Sequence, residues 1–332
     1  MAAFFEDNKI QPDSQHGFRS ARSCTTMLMR TLDDWTAALD SQSGAQVHTV
    51  FLDWAKAFDK VPHQRLLSKL QQYGVDGGAL KWYADDCTIH NQIRSEDDVE
   101  ALQEDLAHID VWCANNGMQL NAKECVVMDR CSLQYVATQR LLGVHLSRNL
   151  RWNHHDDVQR KKAPQTLGFA ARNLRGCTQR MKRIAYLSLV KPKLFYGTPA
   201  WHPSTKTNTE KMIRVQNRAL HFIHSRRIPP PNQQHLLSVP AQLVYNDLLY
   251  FKKCLAGVTD YDAMARITLG RVHRGDNPLH PRLQQPSART DLGKNIFDFR
   301  VVKEWNDLPP ALKDCSAAKF PSLCKAYVTA RF

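Results

Sequence analysis

The spacing of apolar residues predicts strands mixed with helices in the first third of the chain. Between Cys24 and Leu39 apolar side chains recur at helical spacing, so a helix is expected there. The run Val47 to Leu52 is rich in β-branched and aromatic residues and predicts a strand that ends directly before Asp53. Tyr83 to Asp86 lies between apolar stretches and predicts a hairpin turn. This region is therefore expected to combine a small sheet with helices.

Helices are predicted to predominate beyond this region. Ser95 to Asp98 has the pattern of a capping box, and the helix after it is expected to continue to Trp112. Cys125 to Met128 and Leu141 to Val144 are expected to be short strands that complete an antiparallel sheet. The remaining helices are expected at 152–173, 178–194, 208–224, 241–255, 299–306 and 317–329, with a polar loop at 270–293.

Three aspartates are expected to meet at one end of the predicted sheet. Asp53 follows the first strand, and Asp85 and Asp86 lie in the hairpin. Carboxylates this close repel one another unless a cation lies among them, and two Mg²⁺ ions about 4 Å apart serve phosphoryl transfer in this way. The trio predicts a Mg²⁺ site, with Mn²⁺ as the alternative ion. An Asp-Asp pair alone is more often a solvated turn, so the flanking residues decide between the two interpretations.

Charge is distributed unevenly along the chain. There are 45 Lys and Arg against 32 Asp and Glu, a net charge of +13. Residues 140–230 hold nineteen basic and three acidic residues, whereas residues 51–110 hold twelve acidic and six basic ones. An acidic centre beside a basic flank suits a metal site next to nucleic acid, although basic helices also serve solubility alone. The residues predicted to contact backbone phosphates are Lys161, Lys162, Arg172, Arg175, Arg180, Lys182 and Arg183.

The cysteine pattern and the hydropathy argue against other classes of protein. Nine cysteines are scattered without C-x-x-C spacing, which gives no indication of a zinc ribbon. Their odd number indicates free thiols in a reducing compartment. No apolar run in the sequence approaches the ~18 residues of a membrane span. The sequence thus predicts a soluble, intracellular protein without distinguishing nucleus from cytoplasm.

Several ordered blocks resemble the reverse transcriptases of non-LTR (LINE-type) retrotransposons. F-L-D-x-x-K-A-F-D-x-V-x-H at 51–63 is similar to motif A of that family, and Y-A-D-D at 83–86 is similar to motif C. Further similar blocks, in the family's order along the chain, are Gln15–Arg19, Gly117–Lys123, Leu141–Val144, Leu189–Pro192, Arg214–Leu220 and Glu304–Pro309. The resemblance spans nearly the whole chain.

This resemblance implies an α+β fold with an incomplete palm. The palm is expected to be a small antiparallel sheet with helices on one face, followed by a mainly α-helical thumb and C-terminal region. The implied domains are a residual fingers segment (1–46), a truncated palm (47–148), a thumb-like helical region (149–228) and a C-terminal helical region (229–332). The implied activity is RNA-directed DNA synthesis with an RNA template, a DNA primer and no membrane.

The resemblance also assigns roles to single residues. The implied catalytic residues are Asp53, Asp85 and Asp86, the last supporting the two metal ligands electrostatically. Phe58 matches the aromatic residue below the sugar of the incoming nucleotide, and Lys123 lies in a block near the departing pyrophosphate. Arg19 and Arg22 are implied to lie near template and nucleotide. A packing role for Phe58, and exposed loop positions for the three basic residues, are equally open alternatives.

One block of the family is missing from this sequence. The family carries an insertion with motif B, a Gly-Pro-Gln-Gly-type loop before a helix, between motifs A and C. Here Asp53 and Asp85 are only 32 positions apart, and Trp82 is followed directly by Tyr83. We therefore expect an N-terminally truncated and internally deleted copy. A bare crossover can still bring the aspartates together, so the metal site is expected to survive while templated synthesis is expected to be lost or impaired.

Three interpretations remain open from the sequence alone. The chain is a reverse transcriptase remnant, or a non-catalytic nucleic-acid-binding protein that uses its basic helical half, or decayed transposon sequence without a cellular role. A gene prediction that removed motif B as a false intron would restore the enzyme interpretation.

Overall fold

The computed structural model describes residues 13–41, 45–54, 81–83, 86–116, 118–121, 125–128, 136–203, 205–225, 228, 236–270 and 281–332. At 81–83, 86, 116 and 128 it describes the backbone alone. The chain divides into two compact units, each with an interrupted sequence. Unit 1 comprises 1–150, 259–261 and 288–293, and unit 2 comprises 151–258, 262–287 and 294–332.

Unit 1 contains a four-stranded antiparallel sheet. Its strands are β1 (Gln46–Leu52), β2 (Lys81–Tyr83), β3 (Asp86–Ile93) and β4 (Val126–Met128), in the spatial order β2-β3-β1-β4. The predicted strand at 47–52 and the predicted strand at 125–128 are therefore confirmed. The two strands in the centre, β1 and β3, are also the longest.

Helices cover both faces of this sheet. On one face, α2 (Glu96–Asn116) shares a buried core with Ile89 of β3. On the other face, α1 (Cys24–Ser41) places Trp35 edge-on to His90, with ring centroids 6.1 Å apart. Because consecutive strand residues point to opposite faces, Ile89 packs on the side of α2 and His90 on the side of α1. The expectation of helices on one face only is wrong.

Local sequence signals explain where these two helices begin. At the start of α1, the Ser23 backbone N–H donates to Thr26 Oγ1 at 2.8 Å, and the Thr26 N–H donates to Ser23 Oγ at 3.2 Å. At the start of α2, the Ser95 N–H donates to an Asp98 carboxylate oxygen at 3.0 Å. Each pair satisfies amide groups that the first helical turn leaves without partners. The Asp98 half of the capping box predicted at Ser95 to Asp98 is confirmed, and the Ser95 hydroxyl also donates to the Asp98 carboxylate at 3.3 Å.

The predicted strand at Leu141 to Val144 is instead a turn. Strands β5 (Thr138–Leu141) and β6 (Val144–Ser147) form a separate two-stranded sheet joined through Leu142 and Gly143. Both turn residues have positive φ, 47° and 84°, which is the conformation that tight hairpins require. The prediction that this segment completes the larger sheet is wrong, because the chain turns at Leu142 and Gly143 and the two strands on either side pair with each other.

Two late segments of the chain return to α1 in unit 1. The Tyr261 hydroxyl donates to an Asp33 carboxylate oxygen at 2.5 Å, and Asp260 pairs with both Arg22 and Arg30. The Thr290 N–H donates to Asp40 at 2.9 Å. Residues more than two hundred positions apart in sequence thus hold the helix in place.

Unit 2 is mainly helical. Its longer helices are α3 (Asn153–Asn173), α4 (Gln179–Ala185), α5 (Lys191–Phe195), α6 (Lys206–Ile223), α7 (Val239–Leu255), α8 (Phe297–Asn306), α9 (Pro310–Asp314) and α10 (Phe320–Arg331). A π-helical turn, Tyr186–Val190, joins α4 to α5 without a break. Six helices were predicted close to their observed positions, whereas α9 was not predicted. Two short strands, β7 (Thr268–Leu269) and β8 (Leu283–Gln284), pair antiparallel. Because β8 lies within the predicted polar loop at 270–293, part of that loop is a strand.

Aromatic side chains form the core of unit 2. Phe251 lies edge-on to Trp305 at 4.9 Å, and Trp305 lies 6.1 Å from Phe320. Trp201 is fully buried against His155 and donates its indole N–H to the Tyr196 carbonyl at 2.7 Å.

The described helices include none that is long and apolar enough to span a membrane.

Candidate functional site

The register of the central strands brings two of the predicted catalytic positions to one end of the sheet. Leu52, the last residue of β1, is paired with Cys87, the second residue of β3. Asp53 follows Leu52 and Asp86 precedes Cys87, so both backbones lie at the same end, on adjacent strands. Tyr83 pairs with Asp86, which leaves a two-residue connection between β2 and β3. The predicted hairpin is therefore confirmed by its flanking strands.

Two of the three aspartate side chains lie outside the described part of the structure. Asp85 lies outside the described residues, and only the backbone of Asp86 is described. Within the side chains that are described, no three His, Cys, Asp or Glu lie close enough to hold a metal ion. The metal site thus remains a prediction. Phe58 and Lys123 also lie outside the described part of the chain.

Asp53 is held by a segment that follows α2. The side-chain amide of Asn121 donates to Asp53 Oδ2 at 3.1 Å, and the Asn121 backbone N–H donates to the Asp53 carbonyl at 2.9 Å. A β-bridge between Trp54 and Leu120 continues this contact by one residue. The Asp53 N–H also points to Cys125 Sγ at 3.5 Å. Asp53 is therefore fixed through both its main chain and its side chain.

The residues behind Asp53 are buried and apolar. Leu52 and Trp54 flank it and belong to the core shared with α2, where Trp54 lies edge-on to Trp112 at 5.8 Å. Burial raises the pKa of the nearby Cys113 thiol to about 12, so it stays protonated at neutral pH. The half-buried Asp53 thus lies at the edge of a buried, uncharged core.

Arg19 and Arg22 both have partners within unit 1. Arg22 Nε lies 2.6 Å from Asp260 Oδ2, and another of its nitrogens donates to the Gln15 carbonyl at 2.8 Å. Burial lowers the pKa of Arg22, an effect that Asp260 opposes. Arg19 lies 3.6 Å from Asp13. These contacts hold the segment that precedes α1, so a nucleotide contact for either arginine stays a prediction.

The seven basic residues predicted to contact phosphates all lie in unit 2 but differ in exposure. The five exposed members are Lys161, Lys162, Arg172, Arg175 and Arg180. Lys182 is buried, where its Nζ donates to Ser225 Oγ at 3.2 Å and lies 5.8 Å from the centre of the Phe222 ring. Arg183 is half-buried. Lys182 is therefore the least available of the seven for a phosphate.

Sequence reasoning did not identify Asn121 as part of this site. It lies in the Gly117–Lys123 block that resembles the family, but 68 positions separate it from Asp53. A single asparagine carries no spacing pattern that marks its contact. The one sequence feature that marked Asn121 was its place in that block, and this place does not indicate that Asp53 is its partner.

Comparison with known proteins gives one distant similarity. No protein-family model matches the chain. It is 22% identical, over an alignment of 304 residues, to "Probable RNA-directed DNA polymerase from transposon BS" of Drosophila melanogaster. The alignment covers 65% of this chain and 33% of that protein, so the chain spans about a third of the length of the curated relative. This similarity supports a distant reverse-transcriptase-like relationship.

Proposed function

We propose that the chain is a reverse-transcriptase-like protein of the non-LTR retrotransposon type, with a palm site that lacks motif B. The observation that carries this proposal is the register of β1 and β3, which brings Asp53 to the end of the sheet where the Asp85-Asp86 hairpin begins. The distant similarity to a transposon RNA-directed DNA polymerase supports the same assignment. RNA template and DNA primer are the proposed nucleic-acid partners.

In this proposal Asp53 and Asp85 are the ligands of Mg²⁺, and Asp86 adds negative charge beside them. The described part of the site fits such an ion, because Asp53 is a half-buried carboxylate with no cationic partner among the described residues. Hard oxygen ligands are the kind that Mg²⁺ prefers. When bound, the metal would neutralise charge on the phosphates during nucleotide addition. Phe58 and Lys123 are proposed to contact the incoming nucleotide.

The missing block is proposed to limit catalysis rather than metal binding. Phosphoryl transfer depends mainly on positioning of the reacting groups, and motif B supplies part of the wall against which the family holds the template pair. We therefore expect the protein to lack processive synthesis even with the aspartates in place.

Primer extension tests the catalytic part of this proposal. Purified protein is given primed RNA, deoxynucleotides and Mg²⁺ or Mn²⁺, alongside Asp85→Asn and the exposed control Asp97→Asn. We expect at most short products, which disappear in Asp85→Asn and persist in Asp97→Asn. Extension that survives in Asp85→Asn would show that the aspartate assignment is wrong. Sustained, Asp85-dependent synthesis would show that motif B is dispensable.

The genomic DNA tests the proposed deletion. If coding sequence for motif B lies between the codons for Trp82 and Tyr83, the deletion is an artefact of the gene structure and the full enzyme interpretation returns. If those codons are contiguous in the DNA and in the transcript, the deletion is real.

A second candidate function is nucleic-acid binding without catalysis. The observation that favours it is the exposure of five basic side chains between Lys161 and Arg180 in unit 2. Each phosphate contact releases counterions, so affinity should fall steeply with salt. Neutralising Lys161, Lys162 and Arg175 together is expected to lower the slope of log affinity against log salt by about 2 to 3.

A matched triple variant controls for net charge in that experiment. Lys303, Lys319 and Lys325 are exposed residues of the C-terminal helical region, and neutralising them removes the same charge. Equal losses in the two triple variants would indicate a diffuse charge effect rather than a binding surface. Asp53→Asn separates the two functions, because it should leave this binding unchanged.

A further inference from the structure

The contact between Asn121 and Asp53 differs from an ordinary surface hydrogen bond in how firmly Asn121 is held. Its backbone N–H donates to the Asp53 carbonyl at 2.9 Å, and its own carbonyl accepts from the Cys125 N–H at 2.9 Å. The Trp54–Leu120 bridge fixes the preceding residue. The side-chain amide therefore extends from a backbone that is anchored on both sides, and its position relative to Asp53 is set by the fold.

The amide occupies only one of the two carboxylate oxygens. Asn121 Nδ2 lies 3.1 Å from Asp53 Oδ2, and within the described residues Oδ1 has no hydrogen-bond donor. An ionised carboxylate accepts at both oxygens, so one amide leaves most of its acceptor capacity unused. Oδ1 therefore remains free, among the described groups, to bind something from outside.

A neutral donor orients the carboxylate without cancelling its charge. A lysine or arginine in place of Asn121 would also fix the side chain, but it would compete with any cation for the same negative charge. Carboxylates that bind metals are commonly held by such outer hydrogen bonds, and losing one typically weakens metal affinity 10–100-fold.

From this geometry we infer that Asn121 is a positioning residue, which holds the Asp53 carboxylate through Oδ2 and so keeps Oδ1 available as a ligand for a divalent cation. This inference rests on the proposed function, because it concerns the same aspartate. It adds a residue from the segment after α2 to a site otherwise built from strand ends.

Direct measurement of Mn²⁺ binding tests the inference without requiring polymerase activity. The free Mn²⁺ signal in electron paramagnetic resonance gives the dissociation constant for the unchanged full chain, Asp53→Asn, Asn121→Ala and the control Gln119→Ala. Gln119 is exposed and lies two residues from Asn121 on the same segment. We expect Asn121→Ala to bind Mn²⁺ about tenfold more weakly and Gln119→Ala to bind it as the unchanged chain does.

The outcomes separate this inference from the proposed function. If Asp53→Asn weakens Mn²⁺ binding but Asn121→Ala does not, the positioning role of Asn121 is wrong and the metal site stands. If Asp53→Asn binds Mn²⁺ as tightly as the unchanged chain, the proposed metal site is wrong and the inference falls with it.

A second variant keeps the test decisive if Asn121→Ala does not fold. Asn121→Asp has nearly the same shape but sets a second carboxylate against Asp53. Without divalent ions the two charges repel, so a lower melting temperature is expected. Mn²⁺ should raise that melting temperature by more than it raises that of the unchanged chain. Equal increases in the two proteins would overturn the inference.

Discussion

Asp247 in unit 2 and Asp53 in unit 1 are both held by hydrogen bonds, but their burial and their partners differ. Asp247 is 4% exposed and faces Arg300, whose Nε lies 3.2 Å from Oδ2 and whose Nη2 lies 3.4 Å from Oδ1. Asp53 has a neutral amide and no cationic partner within the described residues. A carboxylate paired inside the fold stabilises structure, whereas one that is oriented but not neutralised can still bind a cation. The comparison therefore contrasts a buried carboxylate that an arginine neutralises with a half-buried one that a neutral amide holds.

Asp156 extends the comparison to a buried carboxylate without an ion pair among the described residues. It is 2% exposed, and its Oδ2 is buried without a hydrogen-bond partner within the described residues. Burial raises the pKa of Asp156 to about 6, with Lys211 opposing the shift. Burial also raises the pKa of Asp247 to about 6, although Arg300 opposes it. Among the described residues of unit 2, Asp247 is thus a buried carboxylate with an arginine partner and Asp156 is one without.

The largest effect is expected from removing the cation of the buried pair. Arg300→Met leaves Asp247 buried and uncompensated, which should lower the free energy of unfolding by about 3 to 5 kcal/mol. Chemical denaturation at neutral pH measures the loss. The double variant Arg300→Met with Asp247→Leu should recover much of it, because no unpaired charge remains. A double variant no more stable than the single one would contradict the assigned role of the pair.

A smaller effect of opposite sign is expected at Asp156. Because its pKa is raised in the folded state, the folded protein binds the proton more tightly, so stability declines from about pH 4 to pH 6 and stays lower above that. Asp156→Asn removes this penalty and should stabilise the protein by about 1 to 3 kcal/mol at pH 7.5. Urea unfolding at pH 7.5 and pH 4 measures the difference. A gain that is equally large at pH 4 would exclude titration of Asp156 as its cause.

The smallest change in stability is expected at Asp53. Asp53→Asn removes a charge that no described side chain neutralises, so in the absence of divalent ions the free energy of unfolding should change by less than about 1 kcal/mol. Denaturation with a chelator present measures this. A loss as large as that of Arg300→Met would mean that Asp53 is a structural carboxylate like Asp247, and the comparison would fail.

Local signals made much of the fold predictable. The apolar spacing of α1 and the Ser95 to Asp98 capping box depend on residues close in sequence, and both appear as expected. The strand at 47–52 was predictable because its burial is uniform along most of its length. Such patterns need no knowledge of distant partners. Local patterns therefore predicted these helices and strands. The predicted hairpin also indicated the end of the sheet at which Asp53 lies.

The parts that were missed depend on contacts between distant residues. Arg22 resembled a free basic residue, yet its partner Asp260 lies far along the chain. Lys182 differs from its exposed neighbours only because Ser225 and Phe222 pack against it. Asn121 was recognised within a block but not as the partner of Asp53. In each case the sequence shows both residues but does not indicate that they are in contact.

Because unit 1 includes the late segments at 259–261 and 288–293, its first 150 residues are synthesised well before the unit is complete. Arg30 emerges about 230 residues before Asp260, the residue with which it pairs. At ordinary translation rates this interval is on the order of tens of seconds. Throughout it the nascent first unit carries α1 without the contacts that Tyr261 and Thr290 supply. A fragment that ends before residue 259 would lack these contacts, and a fragment that contains all of unit 1 extends through Gly293.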